Sequence, residues 1–169
     1  MSLFAPVAAD HDAGPVTDVP REGRVLGLDL GSRRVGVAAS DSAQVLAVGV
    51  ETLQLTADLP QDRLSLAALA IEYEAVGVII GLPLSLDGGV GRAAVAALVE
   101  IDALRSVLGL PVVTVDERLS TVAATSALRA GGRKGRQQRT VVDRTAATVI
   151  LQSWLDGRRS RPDDEAVGG

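Results

Sequence analysis

Arg24-Val-Leu-Gly-Leu-Asp-Leu-Gly31 decides how the rest of the chain is read. It is a short apolar run closed by a glycine, the pattern of a buried β-strand. Asp29 interrupts it. Burying an unpaired carboxylate costs several kcal/mol or more, so an acid here is expected to be paired, neutralised or bound to a metal. Period-two alternation puts Val25, Gly27 and Asp29 on one face of the strand. A plainer account is an Asx-turn, in which the Asp29 carboxylate accepts from the amides of Gly31 or Ser32.

Outward from this strand, a turn at Ser32-Arg33-Arg34 leads into a second apolar run, Val35 to Asp41, which predicts a hairpin. A third strand fits Val45 to Leu53. Pro60 and Asp62 suit the first turn of a helix, along which Leu64, Ala67, Ala68 and Ile71 recur at helical spacing. Val76-Gly-Val-Ile-Ile80 is a continuous apolar run, typical of a strand covered on both faces. After a loop at Gly81–Gly89, a long helix carries Ala97, Ile101, Leu104 and Leu108 on one stripe. Pro111 to Val115 is the next strand. A helix over Ser120–Ala130, stopped by Gly131-Gly132, and a last helix from about Thr140 to Asp156 complete the pattern β-β-β-α-β-α-β-α-α. Antiparallel strands come first, and crossovers then add parallel ones, so the class is α/β.

The chain has 169 residues, enough for one domain, and 47% of them are hydrophobic, enough for a core. Residues 1–22 and 157–169 lack periodicity and read as flexible tails around a domain at 23–156. The start has no signal-peptide pattern, and no apolar run approaches the ~20 residues of a membrane span, so a cytoplasmic protein without membrane attachment is expected. With no cysteine, disulfides, thiolate catalysis and Cys-type metal sites are excluded. The one histidine, His11, lies in the N-terminal tail, which argues against a histidine base or triad. Chemistry must then run on carboxylates, hydroxyls, basic groups and metal.

Two further acids sit at the ends of elements that would pack beside the first strand. Glu117 follows Val113 and Val115 on one face, at the C-terminal strand edge where ligand sites of open α/β sheets lie. Its alternative role is to favour the dipole of the next helix. Asp143 shares a helical stripe with Ala147, Ile150, Leu151 and Trp154, although Thr140-Val-Val-Asp143 also matches a capping box. Three inward carboxylates would repel one another without a counter-ion. Oxygen ligands alone favour Mg²⁺ or Mn²⁺ over zinc.

Net charge is −4, but most of it belongs to the tails. Between Gly131 and Thr140 lies a cationic loop with Arg133, Lys134, Arg136 and Arg139, placed just before the Asp143 helix. A solvated loop tip is the bland account, and phosphate contact is the functional one. Arg33 and Arg34, in the turn after Asp29, and Arg118, next to Glu117, can add to the same face. With only Phe4, Tyr73 and Trp154 as aromatics, base stacking on an aromatic platform is not expected. No G-x-G-x-x-G or Walker A motif occurs.

Together these pieces resemble the YqgF/RuvX family of the ribonuclease-H-like superfold. The resemblance spans about residues 24–156. It rests on Gly27-Leu-Asp-Leu-Gly-Ser-Arg-Arg-Val-Gly-Val-Ala-Ala-Ser-Asp41, Gly81-Leu-Pro-Leu-Ser-Leu-Asp-Gly-Gly89, Asp116-Glu-Arg-Leu-Ser-Thr121 and Val142-Asp-Arg-Thr-Ala-Ala147 with the cationic loop before it. It implies a five-stranded mixed sheet, order 3-2-1-4-5, flanked by helices, with the acidic trio as the site. It also implies a nuclease, acting either on the 5′ end of precursor small-subunit ribosomal RNA or on DNA four-way junctions, as a monomer or homodimer. Two rival classes are a nucleotide-binding module of the sugar-kinase and actin type and a non-catalytic RNA-binding assembly factor. The first rival uses a similar Asp-x-Gly hairpin but needs two such domains.

Overall fold

The computed structural model describes residues 18–83, 91–117 and 136–160, with side chains in the last stretch described from 144 onward. Its elements are β1 (Arg24–Leu30), β2 (Arg34–Ser40), β3 (Ala47–Gln54), α1 (Leu59–Glu72), β4 (Ala75–Leu82), α2 (Arg92–Leu108), β5 (Val112–Asp116) and α3 (Arg136–Arg159). They form one five-stranded sheet in the order β3-β2-β1-β4-β5. The β1–β2 and β2–β3 pairs are antiparallel, while β4 and β5 run parallel to β1. The mixed sheet and its strand order are those expected. The expected helix over Ser120–Ala130 lies outside the described residues, as do most of both expected tails.

Alternation along β1 divides its side chains between two apolar layers. Leu26 and Leu28 join Val35, Val37, Val78 and Ile80 under α1 and α2, where Leu66, Leu69, Ile101 and Leu104 close the layer. Val25 faces the other way, into a layer with Ala38, Ile79, Ala147, Ile150, Leu151 and Leu155, bordered by Val113, Val115 and Trp154. Ala147, Ile150 and Leu151 of the stripe read on the last helix therefore face the sheet, with Trp154 at the border. None of the described helices is long and apolar enough to cross a membrane.

The structure departs from the sequence reading at α1. That helix buries Asp62, Leu66, Leu69 and Ala70. Leu64 and Ile71, expected to face inward, are 55% and 77% exposed. Apolar residues ring much of this helix, so spacing alone offers two faces. Asp62 selects between them. Its carboxylate accepts from the Thr56 amide and hydroxyl at 2.8–3.1 Å, which turns the Asp62 side inward and brings Leu66, Leu69 and Ala70 with it at i+4, i+7 and i+8. Arg63 then reaches Glu100 of α2 with two hydrogen bonds, at 2.9 and 2.7 Å.

Three boundaries also differ. The third strand begins at Ala47 because the amides of Val45 and Leu46 are taken by the Asp41 carboxylate, at 2.7 and 3.0 Å. These two bonds lower the Asp41 pKa, as an acceptor of backbone N–H groups should show. The last helix begins at Arg136, not Thr140. Arg136 and Arg139 are thus helical rather than in a loop, and Thr140 lies too far inside the helix to cap it. Arg and Gln are strong helix formers, and neither Gly nor Pro interrupts residues 136–156. Packing also extends past residues 23 and 156. Val19 is buried against Gly77, its carbonyl accepts from the Arg158 guanidinium, and the Gln44 amide donates to the carbonyls of Pro20 and Gly23 at 2.7 and 3.0 Å.

Gly27 sets how closely α3 approaches the sheet. A Cβ there would lie 2.6 Å from Leu151 Cβ and 3.0 Å from the Ala147 carbonyl oxygen. Gly27→Ala must push the helix away, and is expected to destabilise the fold by about 1–3 kcal/mol. Urea denaturation checks this: the midpoint should fall while the slope stays unchanged.

Candidate active site

The sheet register places Asp29 before anything else does. Asp29 pairs with Gly36 of β2, and Gly36 with Thr52 of β3. On the other side Leu28 pairs with Ile80, so Asp29, one residue on, adjoins Gly81, which pairs with Val115 of β5. The row therefore reads Thr52, Gly36, Asp29, Gly81, Val115. Gly27 meets α3 directly, and Asp29, two residues further along, is on that same face. It is half-buried and carries polar partners.

Glu117 enters from the end of β5. Its amide donates to the Leu82 carbonyl at 3.3 Å, which holds the residue beside the end of β4. Its carboxylate occupies the gap that Gly81 leaves: a Cβ on Gly81 would sit 2.7 Å from Glu117 Oε1 and 2.6 Å from Ile150 Cδ1. Neighbouring strands are about 4.8 Å apart, so this carboxylate lies over the column next to Asp29. Asp116 falls on the opposite face by alternation.

Asp143 belongs to α3, and the helix direction fixes where its backbone lies. The C-terminal end of α3 packs near Val19, whereas Ala147 and Leu151 lie over Gly27, so α3 runs antiparallel to β1. Stepping back one turn from Ala147 covers about 6 Å along the helix. Stepping forward from Gly27 to Asp29 covers about 6.6 Å along the strand. The Asp143 position on the helix thus comes level with the Asp29 row. Among the described residues there is no group of three or more acidic or metal-type side chains, and the Asp143 side chain is outside that set.

Of the basic residues singled out from the sequence, Arg33 is exposed in the β1–β2 turn. Arg34 opens β2 and shares the face of Gly36 and Ala38, the α3 side. Arg136 and Arg139 lie at the start of α3, the end nearest Asp29. Arg118, Arg133 and Lys134 lie outside the described residues. Sequence reasoning missed Thr52, Gly36 and the part played by Gly81. Their only signal is a glycine in each strand flanking the Asp29 strand, and it becomes meaningful only once the register is known.

The donor set suits a hard divalent cation. Asp29 and Glu117 offer oxygen alone, from one face, across a cradle that exists because residue 81 has no Cβ. The same arrangement of sheet and helices recurs in RuvC from T. thermophilus, in complex with Holliday junction substrate. That likeness has a TM-score of 0.54 at 14% identity, over 81% of this chain and 96% of that one. A second structure of RuvC from Thermus thermophilus gives a TM-score of 0.50 at 12% identity over the same shares. The fold is thus that of the ribonuclease-H-like class.

The model of the family described as "RuvX: Holliday junction resolvase" matches residues 23–157. A protein of Rhodococcus opacus is 46% identical over 159 residues, 92% of this chain and 89% of its own. One of Mycobacterium tuberculosis is 47% identical over 150 residues, 88% and 87% of the two chains. Both carry the name "Putative pre-16S rRNA nuclease". This chain belongs to the RuvX family.

Gly81→Ala is expected to displace the Glu117 carboxylate and weaken Mn²⁺ binding by about 10-fold or more, as loss of a supporting contact does at metal sites. Titration calorimetry measures the affinity, with circular dichroism confirming that the sheet and helices persist.

Proposed function

We propose that this chain is a divalent-metal-dependent nuclease that hydrolyses phosphodiester bonds, with precursor 16S ribosomal RNA as its substrate and the cytoplasm as its place of action. The observation that carries the reading is the shared face of Asp29 and Glu117 across Gly81. The names of the relatives supply the substrate. DNA four-way junctions are the second reading, favoured by the description of the family and by the fold likeness to a junction-bound resolvase.

Asp29, Glu117 and Asp143 would hold one or two Mg²⁺ ions, with Mn²⁺ as a substitute. Such ions, when bound, lower the pKa of water and offset charge on the departing oxygen. Asp29 is the most firmly placed of the three, since β1 is paired on both edges and fixes its backbone. Glu117 approaches from a strand end, held at its amide by Leu82 and at its carboxylate by the shape of the Gly81 cradle. Arg33, Arg34, Arg118, Arg133, Lys134, Arg136 and Arg139 supply positive charge for backbone phosphates, which positions a strand without reading its bases. The alternative of a nucleotide-binding module is disfavoured by the names of the relatives, which are those of nucleases.

Asp29→Asn keeps size and shape but removes the charge. It should lower Mg²⁺-dependent cleavage by at least ~100-fold, the scale expected when a group that holds catalytic charge is lost, with an unchanged melting temperature. The assay compares a precursor ribosomal RNA fragment and a synthetic four-way junction side by side. Full cleavage by the Asn variant would reject the assignment, and the substrate cut by the native chain decides between the two readings.

A further inference from the structure

Arg144 is among neither the carboxylates nor the basic residues singled out above, yet its surroundings are specific. Helix α3 descends onto edge strand β3 at Gly49, where a Cβ would lie 3.0 Å from Arg144 Cβ and 3.1 Å from both the Arg144 carbonyl oxygen and Thr148 Oγ1. The Thr148 hydroxyl donates to that carbonyl at 2.7 Å. The Arg144 stem is therefore held over β3 and has little freedom at its root.

From that root the direction is set by the helix. Side chains lean towards the N-terminus of their helix, and the N-terminus of α3 lies at the Asp29 end of the sheet. Gly49 is in the row of Ala38 and Gly27, while Thr52 is in the row of Gly36 and Asp29. One row to the next is about 6.6 Å, within the span of an extended arginine. An extended Arg144 side chain can therefore span from Gly49 to Thr52, on the β3 side of the carboxylates. Arg144 is half-buried, and among the described residues no carboxylate or carbonyl pairs with its guanidinium. A partly desolvated cation without a partner among the described residues, one residue from a predicted ligand, is placed for an anion that arrives from outside.

We propose that Arg144, with Thr52 beside it, forms a phosphate subsite on the β3 side of the carboxylates, taking one backbone phosphodiester of the nucleic-acid strand. The proposal rests on the nuclease reading and adds one phosphate contact on the β3 side of the carboxylates. Arg34, on the same face, lies one row further along β2.

The test is binding of a single-stranded RNA oligonucleotide by fluorescence anisotropy, without divalent metal, over a range of KCl concentrations. Arg144→Gln should weaken binding by about 10-fold and reduce the slope of log affinity against log salt by about 0.7, the loss of one single-strand phosphate contact. Arg144→Lys should retain the slope. Should the Gln variant fold poorly, Arg144→Met, which keeps a long stem over Gly49, is expected to show the same loss of slope. An unchanged slope in the neutral variants would overturn the subsite and leave Arg144 a packing residue, even if the native chain cleaves RNA. A reduced slope in a chain that cleaves neither RNA nor junctions would retain the subsite and overturn the nuclease reading instead.

Discussion

The contact of α3 with the backbone of the sheet is the constraint on which the molecule turns. At Gly27 the helix comes so close that a Cβ would force it to move, and at Gly49 it comes nearly as close, with a Cβ meeting Arg144 and Thr148 at 3.0–3.1 Å. Two such contacts, on the central strand and on the edge strand, fix both the height and the direction of α3. Dispersion forces favour this approach only because the glycines remove the atoms that would hold the layers apart. With the helix fixed, its N-terminal end comes level with the end of β1 where Asp29 lies. Were α3 held off at Gly27, the sheet could survive while the level of Asp143 against Asp29 was lost.

The same economy of side chains recurs one row along. Gly36 and Gly81 flank Asp29 in the sheet, and neither offers a Cβ to crowd it. The Gly81 gap is filled by the carboxylate of Glu117, just past the end of the next strand, which brings two acids onto the face that also carries an apolar cluster under α3. Under the proposed reading, a divalent cation would be the counterpart of these two half-buried acids. The surrounding arginines then add positive charge further out, where a polyanion would lie. Core packing and site geometry are therefore one problem here, solved by where glycine is allowed.

Much of this was legible beforehand. Strand runs, their antiparallel-then-parallel order and the face shared by Val25, Gly27 and Asp29 follow from local periodicity, which needs no knowledge of partners. The motifs identified the family and implied the strand order. Other features were not legible, for a common reason. The α1 helix is apolar on two sides, and its buried side was chosen by Asp62 bonding Thr56 rather than by the spacing of Leu64 and Ile71. Thr140 looked like a cap, but the residues before it are themselves good helix formers, and the helix simply starts earlier. The β3 boundary depended on Asp41 taking two amides that a strand would otherwise have used.

What the sequence determined by itself is the chemistry available: no cysteine, a single histidine far from the motifs, and acids set at the ends of apolar elements. Tertiary structure decided which groups meet. That Gly81 lies beside Asp29, that Glu117 fills its gap and that Arg144 stands over β3 all depend on register between strands and on the seating of one helix. Register and seating are relations between segments distant along the chain, and residue spacing within one segment carries no information about them.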